Sequence, residues 1–419
     1  MIGAAPRRAL AAWCIYDFGI AAWPVVIATF VWGAYFTKAI AASSESGAAD
    51  WGRALAVAGA VVALLSPVLG AIADHGGRRK PWIGVFALLC VAATALLWFS
   101  LPRPTSAAQT LILVAIASIA YELGTVFYNA MLRDLVPPSR LGRLSGWGWG
   151  AGYIGGLACL AIALFGFIQS PTPPFGLEKA TAAPVRATAP LVALWLALFA
   201  LPLFVFAPDR PKGARGFAAA TRQGLAALAA SLRRLPRERT LFRFLVARMI
   251  YADGLNTLFI FGGIFAAGAI GFSLEQVVLF GIAINATAGL GAILFAWVDD
   301  GLGSQPTIAI SLAALIGLGI AVLLVHSQAW FWGLGLALGV FVGPAQAASR
   351  SLMARLAPKG VEAEMFGIYA LTGKVTAFVG PALYGWLTVA FDSQRAGMAV
   401  VVAFLAIGLG LLLTVKVAR

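Results

Sequence analysis

The chain has 419 residues, of which 61% are hydrophobic and 11% are charged, with a net charge of +14 and a mean hydropathy of +0.91. Soluble proteins contain roughly 45–50% apolar and about 25% charged residues, so this composition excludes a water-soluble globular protein and indicates an integral membrane protein. The positive charge does not predict a nucleic-acid-binding surface, because it falls in short loops between apolar stretches and not on a basic face with aromatic side chains.

Twelve apolar stretches are long enough to cross a bilayer as helices, for which about 20 residues are needed. In chain order their predicted limits are 12–38, 53–73, 81–101, 107–131, 144–169, 188–207, 242–268, 274–298, 306–326, 329–349, 365–391 and 396–416. The boundary between the ninth and tenth stretches has the weakest signal, since only residues 326–329 indicate a turn there.

Lysine and arginine are concentrated on one side of the predicted helices. If the N-terminus is cytoplasmic, the cytoplasmic segments contain most of the 30 basic residues. The positive-inside rule therefore predicts cytoplasmic termini and a multi-pass protein of the cell (inner or plasma) membrane. The most basic segment predicts a cytoplasmic linker over 208–241, between six-helix domains over 1–207 and 242–419. Within it, residues 216–235 are compatible with an amphipathic helix on the membrane surface or with a plain tether.

Short motifs recur in the two halves in the same order, which indicates an internal repeat. The matching pairs of segments are 73–76 with 298–301, 80–81 with 305–306, 134–137 with 355–358, 146–152 with 367–373, and 16–19 with 251–254. Parallel repeats of this kind build transporters in which two six-helix bundles enclose the substrate site. The predicted fold class is therefore an all-α integral membrane protein with 12 transmembrane helices in two pseudo-symmetric six-helix bundles.

Several of these segments are similar to signature sequences of the major facilitator superfamily. Residues 70–80, Gly-Ala-Ile-Ala-Asp-His-Gly-Gly-Arg-Arg-Lys, resemble its loop signature. Residues 16–17 with the flanking aromatics, 127–150 and 346–367 resemble more narrowly the branch related to the autophagy-associated vacuolar amino-acid effluxers. The resemblance implies the major facilitator fold and a transport function, whereas the run at 77–82 also resembles cation-coupled sugar transporters.

The resemblance also implies a cytoplasmic latch that favours the outward-open state. Its residues in this chain are Asp74, Gly77, Arg78 and Arg79. We expect Asp74 to face the positive N-terminal end of the eleventh helix and Arg78 to face an acid. In the second half, residues 303–305 (Gly-Ser-Gln) stand where the basic residues of the first loop stand, so an asymmetric latch is expected.

Five ionisable residues lie well within predicted helices, where a charge is costly unless it is paired or hydrated. Lys374 is near the middle of the eleventh helix, and we expect it to neutralise an anionic group of the solute or to pair permanently with Glu122 or Asp17. Glu122 is a candidate proton carrier, since a low-dielectric cavity raises the proton affinity of a carboxylate. A fixed ion pair is the alternative.

Other polar and aromatic side chains are candidates for lining the same pathway. Asp17 and Asp253 stand at matching places in the two repeats, each with a tyrosine nearby. Arg248 is near enough to its helix end to reach the membrane interface instead. The predicted substrate pathway consists of Tyr16, Asp17, Glu122, Asn129, Tyr153, Arg248, Tyr251, Asp253, Asn256, Asn285, Gln346, Arg350 and Lys374.

Other kinds of site have little support in the sequence. Gly150-Ala-Gly-Tyr-Ile-Gly155 matches a dinucleotide fingerprint formally, but no strand precedes it. The predicted role of Gly146, Gly150, Gly152 and Gly156 is close helix packing. With two histidines, three cysteines inside apolar runs and no phosphate-binding loop, neither a metal, a cofactor nor ATP drive is expected.

The sequence therefore predicts a secondary active transporter rather than an enzyme. We expect it to move an amino acid or a similar zwitterion or anion by alternating access, with coupling to H+. The expected partners are the lipid bilayer and a small solute but no nucleic acid, and the expected state is a monomer. A sugar/cation or drug transporter of the same fold is the alternative. A membrane-embedded transferase and a passive channel are alternatives of other classes.

Overall fold

The computed structural model describes residues 5–213 and 217–416 and is all-helical over those ranges. It contains twelve helices there that are long and apolar enough to cross a membrane, which confirms the predicted fold class. We number them α1 Arg7–Ile40, α2 Ser44–Gly76, α3 Lys80–Phe99, α4 Pro104–Leu135, α5 Pro138–Ile168, α6 Ala183–Phe206, α7 Arg239–Ile270, α8 Leu274–Leu302, α9 Ser304–Leu324, α10 Gln328–Leu356, α11 Glu362–Ala390 and α12 Gln394–Leu413.

Helix α11 is divided into two parts, where the sequence predicts one helix over 365–391. The first part, α11a, is Glu362–Val375, and the second, α11b, is Val379–Ala390. Pro381 explains the division, because proline lacks an amide hydrogen and its ring collides with the carbonyl four residues earlier. Proline is favoured in the first turn of a helix, and α11b begins two residues before Pro381.

Helices α1–α6 and α7–α12 form two bundles joined by a linker with a helix of its own. This tether helix, Phe217–Arg234, packs on the end of α2, where Gly224 meets the backbone of Ala71 and Ile72. Of residues 216–235, the described Phe217–Arg234 are therefore helical, while a position on the membrane surface stays a prediction. Its contact with α2 brings the linker beside the predicted latch.

The bundles contact one another most closely in the half of the molecule nearest the two termini, which we call the termini half. There α2 packs along α11a, and the Ser66 hydroxyl donates a hydrogen bond of 3.0 Å to the carbonyl of Gly367. Towards the opposite face, α11b packs on α7 and α12 of its own bundle. The bundles are thus closed together in the termini half and are less closely packed in the other half.

Glycines on α5 permit close contacts on two sides of that helix. A side chain at Gly146 or Gly150 would collide with α8, and one at Gly156 would collide with α1. Gly152 also faces α1, with Asp17 and Ala21 beside it. Helix α5 therefore holds together its own bundle and the second bundle.

Candidate functional site

An ion pair joins the two bundles at the place where their close packing ends. Nζ of Lys374 on α11a lies 2.7 Å from Oε1 of Glu122 on α4. The side chains remain 31% and 29% exposed, respectively. Gly59 of α2 lies beside the Lys374 side chain. The two charges are thus partly accessible and bridge helices of different bundles.

The local sequence explains why Lys374 is tolerated so far from either face. Lys374 is in the last turn of α11a, where the final carbonyl groups have no partners within the helix and carry partial negative charge. A cation at that position is stabilised by the helix end as well as by Glu122. The break in α11 therefore contributes to the site, as in transporters whose discontinuous helices form ion and substrate sites.

A second connection between the bundles is a buried network around Arg350 of α10, whose exposure is 4%. Its Nη1 lies 2.9 Å from Oδ2 of Asp17 on α1 and donates to Oδ1 of Asn129 on α4 at 3.3 Å. Its Nε donates to the Ser145 hydroxyl on α5 at 2.9 Å, and its Nη2 donates to the Ser145 carbonyl at 2.6 Å. The guanidinium also lies 4.8 Å from the Trp13 ring centroid.

The Arg350 network brings together three predicted pathway residues, namely Asp17, Asn129 and Arg350. The predicted alternative in which Asp17 pairs with Lys374 is wrong for this conformation, because each has its own partner in the opposite bundle. Burial of a guanidinium is tolerated only when its donors are satisfied. The network is therefore a specific closure of the termini half.

Three further pathway candidates make specific contacts within the second bundle. The Tyr251 and Ser349 hydroxyls are 2.6 Å apart. Arg248 donates to the Tyr369 carbonyl at 2.7 Å and lies 3.4 Å from the centroid of its ring. In this conformation Arg248 is therefore directed towards α11a. Asp253 of α7 accepts a hydrogen bond of 3.2 Å from the Gly380 amide, at the start of α11b.

The remaining candidates are dispersed, and the structure does not bring them into the two ion-paired clusters. Tyr16 is buried and stacks on Tyr128, with ring centroids 4.8 Å apart. The Asn285 amide donates to the Gly281 carbonyl of its own helix. Tyr153 packs against Gly289 of α8, Gln346 is half-buried and Asn256 is exposed.

The predicted latch region contains a cluster of five charged side chains from both bundles and the linker. Arg79 is 1% exposed and lies 3.1 Å from Glu362 of α11a, 3.4 Å from Asp74 and 2.5 Å from Asp134. Arg210 of the linker lies 2.7 Å from Asp134 and 3.0 Å from Glu362. Burial by itself lowers the pKa of Arg210, but its hydrogen bond and attraction to Asp134 and the charge of Glu362 raise it above the ordinary value.

The roles of the two adjacent arginines differ from the prediction. Arg79, not Arg78, faces the acids, whereas Arg78 is exposed and makes no ion pair with the described residues. Asp74 does meet the beginning of α11, where it accepts a hydrogen bond of 2.8 Å from the Glu364 amide. Gly77 has a φ of +85°, a conformation that glycine adopts without strain, and this turn directs Arg79 inward.

The second repeat forms a matching contact with different charges. Asp300, at the end of α8, accepts a hydrogen bond of 2.8 Å from the Gly142 amide at the beginning of α5 and lies 2.7 Å from Arg143. Asp299 lies 3.2 Å from Arg355 of α10. Each bundle thus places an aspartate at the positive end of a helix in the other bundle. The arginines come from α5 and α10 instead of the short loop, so the two contacts are asymmetric.

Several residues of these clusters were not among the sequence candidates. Glu362, Asp134 and Arg210 complete the Arg79 cluster, and Ser145 and Trp13 complete the Arg350 network. Asp134 lies in a repeated segment, which is a signal that could have identified it. Arg210 lies in the linker, and no pattern in the sequence relates it to Glu362. Among the described residues, no group of three or more metal-ligating side chains is present.

Comparisons with known proteins agree with this architecture. The family model described as "Vacuole effluxer Atg22 like" matches residues 52–419. The chain is 28% identical over 378 residues to the uncharacterized MFS-type transporter YxiO of Bacillus subtilis, covering 88% of this chain and 86% of that protein. It is 24% identical over 300 residues to autophagy-related protein 22-1 of Penicillium rubens, covering 66% of this chain. The match spans 49% of that relative, about half its length.

Solved structures with the same fold include transporters of the major facilitator superfamily. The crystal structure of FucP in the outward conformation matches with a TM-score of 0.75 and 13% identity, covering 98% of this chain and 99% of FucP. The human organic anion transporter MFSD10 matches with a TM-score of 0.71 and 17% identity, covering 97% of this chain and 99% of MFSD10. The family and the fold are those of multi-pass membrane transporters and not of enzymes. The chain belongs to the Atg22-like vacuole effluxer family, a branch of the major facilitator superfamily.

Proposed function

We propose that the protein is a secondary active transporter that moves an amino acid or a similar small zwitterion between its two bundles. The carrying observation is the Lys374–Glu122 ion pair, in which a partly exposed cation and anion lie 2.7 Å apart at the junction of the bundles. A zwitterion carries one charge complementary to each side chain. It can therefore replace the pair without leaving either charge unpartnered.

The contacts between the bundles support an alternating-access mechanism. We propose that the termini half is cytoplasmic, in the cell membrane, because basic residues are concentrated there. The conformation described is then closed to the cytoplasm by the Arg79 cluster, the Asp300 contact and the Arg350 network. A solute can drive opening only if it binds one state more tightly than the other. Binding to Lys374 and Glu122 provides this difference, because it separates an ion pair that joins the bundles.

The same ion pair supports a proposal for the coupling of H+ to the solute. While the solute is bound, its ammonium group is the cationic partner of Glu122. When the solute leaves, Glu122 has no cationic partner until the Lys374–Glu122 pair forms again. A carboxylate without its cation has an increased proton affinity. We therefore propose that Glu122 takes up a proton in the part of the cycle in which neither Lys374 nor the solute is its partner.

Glu122→Gln is expected to abolish proton-driven accumulation in liposomes that contain the purified protein. The amide retains the shape of the side chain but cannot carry a proton. The measurement is uptake from a mixture of labelled amino acids under an imposed pH gradient, compared with protein-free liposomes. The matched control is Glu45→Gln, which changes an exposed glutamate at the start of α2. Accumulation by Glu122→Gln at the wild-type level would refute the proposed coupling residue.

A further inference from the structure

The break in α11 places a buried carboxylate of α7 at the beginning of α11b. Oδ2 of Asp253 accepts a hydrogen bond of 3.2 Å from the amide of Gly380, the second residue of α11b. Asp253 is only 4% exposed. The break leaves the backbone at 376–378 outside regular helix, where the carbonyl groups of Thr376 and Phe378 accept hydrogen bonds from the Val379 and Ala382 amides.

The other carboxylate oxygen of Asp253 has no hydrogen-bond partner in the described part of the chain. Asp253 also has no ion-pair partner there, whereas the buried acids Asp74, Asp299 and Glu362 each pair with an arginine. An isolated anion is strongly disfavoured in an apolar interior unless a cation or a proton neutralises it. The start of α11b provides partial positive charge, but no cationic side chain among the described residues pairs with Asp253.

The ionisable side chains of the neighbouring elements do not supply a neutralising charge. Neither a hydrogen bond nor an ion pair joins any of them to Asp253 among the described residues. The ionisable side chains considered are Arg248 on α7, Lys374 and Tyr384 on α11, Glu275 on α8, Arg350 on α10 and Arg395 on α12. The cations in this group bind other partners, as described above for Arg248, Lys374 and Arg350. A cation at Asp253 must therefore come from solution.

We infer that Asp253 and the break in α11 form a binding site for a small monovalent cation, either Na+ or H+, in the second bundle. Either ion would neutralise the buried carboxylate by binding to its unpartnered oxygen. Thr257, one turn further along α7, places its hydroxyl close to the Gly380 backbone on the same side as Asp253. A side chain at position 380 would collide with that hydroxyl, so the Gly380 backbone, the Thr257 hydroxyl and Asp253 are packed closely together.

Such a site joins α7 to α11b, the part of α11 that follows Lys374. Binding of a second ion there would therefore be coupled to the conformation of α11. This coupling role rests on the proposed transport function, but ion binding itself does not. Coupling ions in secondary transporters bind at discontinuous helices, where unwound backbone and acidic side chains provide oxygen ligands. The site is separate from Glu122, which belongs to the other bundle and is already paired.

The test is the thermal stability of the purified full-length chain in detergent, without any solute. The unfolding midpoint is measured in NaCl and in choline chloride of equal ionic strength, each at mildly acidic and mildly alkaline pH. An ion that binds only the folded state raises the midpoint by mass action. The variants are Asp253→Asn and, as the matched control, Asp50→Asn, which changes a partly exposed aspartate paired with Arg53.

For a sodium site we expect the wild type and Asp50→Asn to be several degrees more stable in NaCl at alkaline pH, and Asp253→Asn to lose this shift. For a proton site we expect no sodium effect, and acidification should stabilise the wild type more than Asp253→Asn. The inference is overturned if Asp253→Asn responds like the wild type to both ions, or if the wild type responds to neither. Asp253→Ser provides the same comparison if the amide variant does not fold. Because no solute is added, failure here leaves the proposed transport function unaffected.

Discussion

Lys374→Ala is expected to reduce amino-acid uptake by at least about tenfold, which corresponds to about 1.4 kcal/mol of lost solute binding. The substitution removes the cation proposed to bind the carboxylate of the solute. It also leaves Glu122 without a partner, but that side chain is 29% exposed, so water or a proton can compensate it. We therefore expect the variant to fold and to lose function. The measurement is initial uptake into liposomes at equal protein content.

The control for this variant is Lys38→Ala, which removes an exposed lysine near the C-terminal end of α1. It should transport at the wild-type rate, because Lys38 is exposed and lies in the last turn of α1, whereas Asp17 of the Arg350 network lies in the first half of that helix. Lys374→Arg, which retains the charge, is expected to keep part of the activity. Wild-type uptake by Lys374→Ala would remove this residue from the binding site.

Arg350→Gln is expected to lower the free energy of unfolding by about 3–5 kcal/mol, the usual cost of breaking a buried ion pair from one side. The substitution leaves the Asp17 carboxylate, which is only 16% exposed, without its cation. It also removes the donors to Asn129 and Ser145. The measurement is thermal or denaturant unfolding in detergent, followed by tryptophan fluorescence.

A double-mutant cycle separates the loss of the ion pair from the loss of packing. Asp17→Asn combined with Arg350→Gln removes both charges, so it should be more stable than the sum of the single effects predicts. Arg53→Ala, which breaks an exposed pair with Asp50, should change stability by less than about 1 kcal/mol. Additive effects of Asp17→Asn and Arg350→Gln would show that the two side chains do not stabilise one another.

The helix count could be predicted from the sequence because length and hydropathy are local properties of each span. The resemblance to the loop signature, together with the positive end of a helix, likewise predicted the approach of Asp74 to the start of α11. The division of α11 was not predicted, although Pro381 provides the signal. Partner choice depends on geometry: Lys374 could pair with Glu122 or Asp17, and only the arrangement of the helices shows that Arg350 takes Asp17.

The same limitation applies to the latch. The run Arg78-Arg79-Lys80 indicates a basic turn, but which arginine points inward depends on the positive φ of Gly77 and on the position of Glu362 far along the chain. Arg210 could not be assigned, because its contact requires the linker to fold back beneath the first bundle. Local patterns therefore identified the helices and the kinds of residues at the site, while the pairings required the tertiary fold.

The most direct test of solute exchange between the bundles is counterflow in liposomes that contain the purified protein. The liposomes are loaded with unlabelled amino acids and diluted into a trace of the same labelled amino acids, with no ion gradient. A carrier that alternates between two states should accumulate label transiently above its equilibrium level, and Lys374→Ala should not. The proposed function would be contradicted if liposomes that contain folded wild-type protein showed no overshoot for any amino acid, so that the label only reached equal concentrations inside and outside.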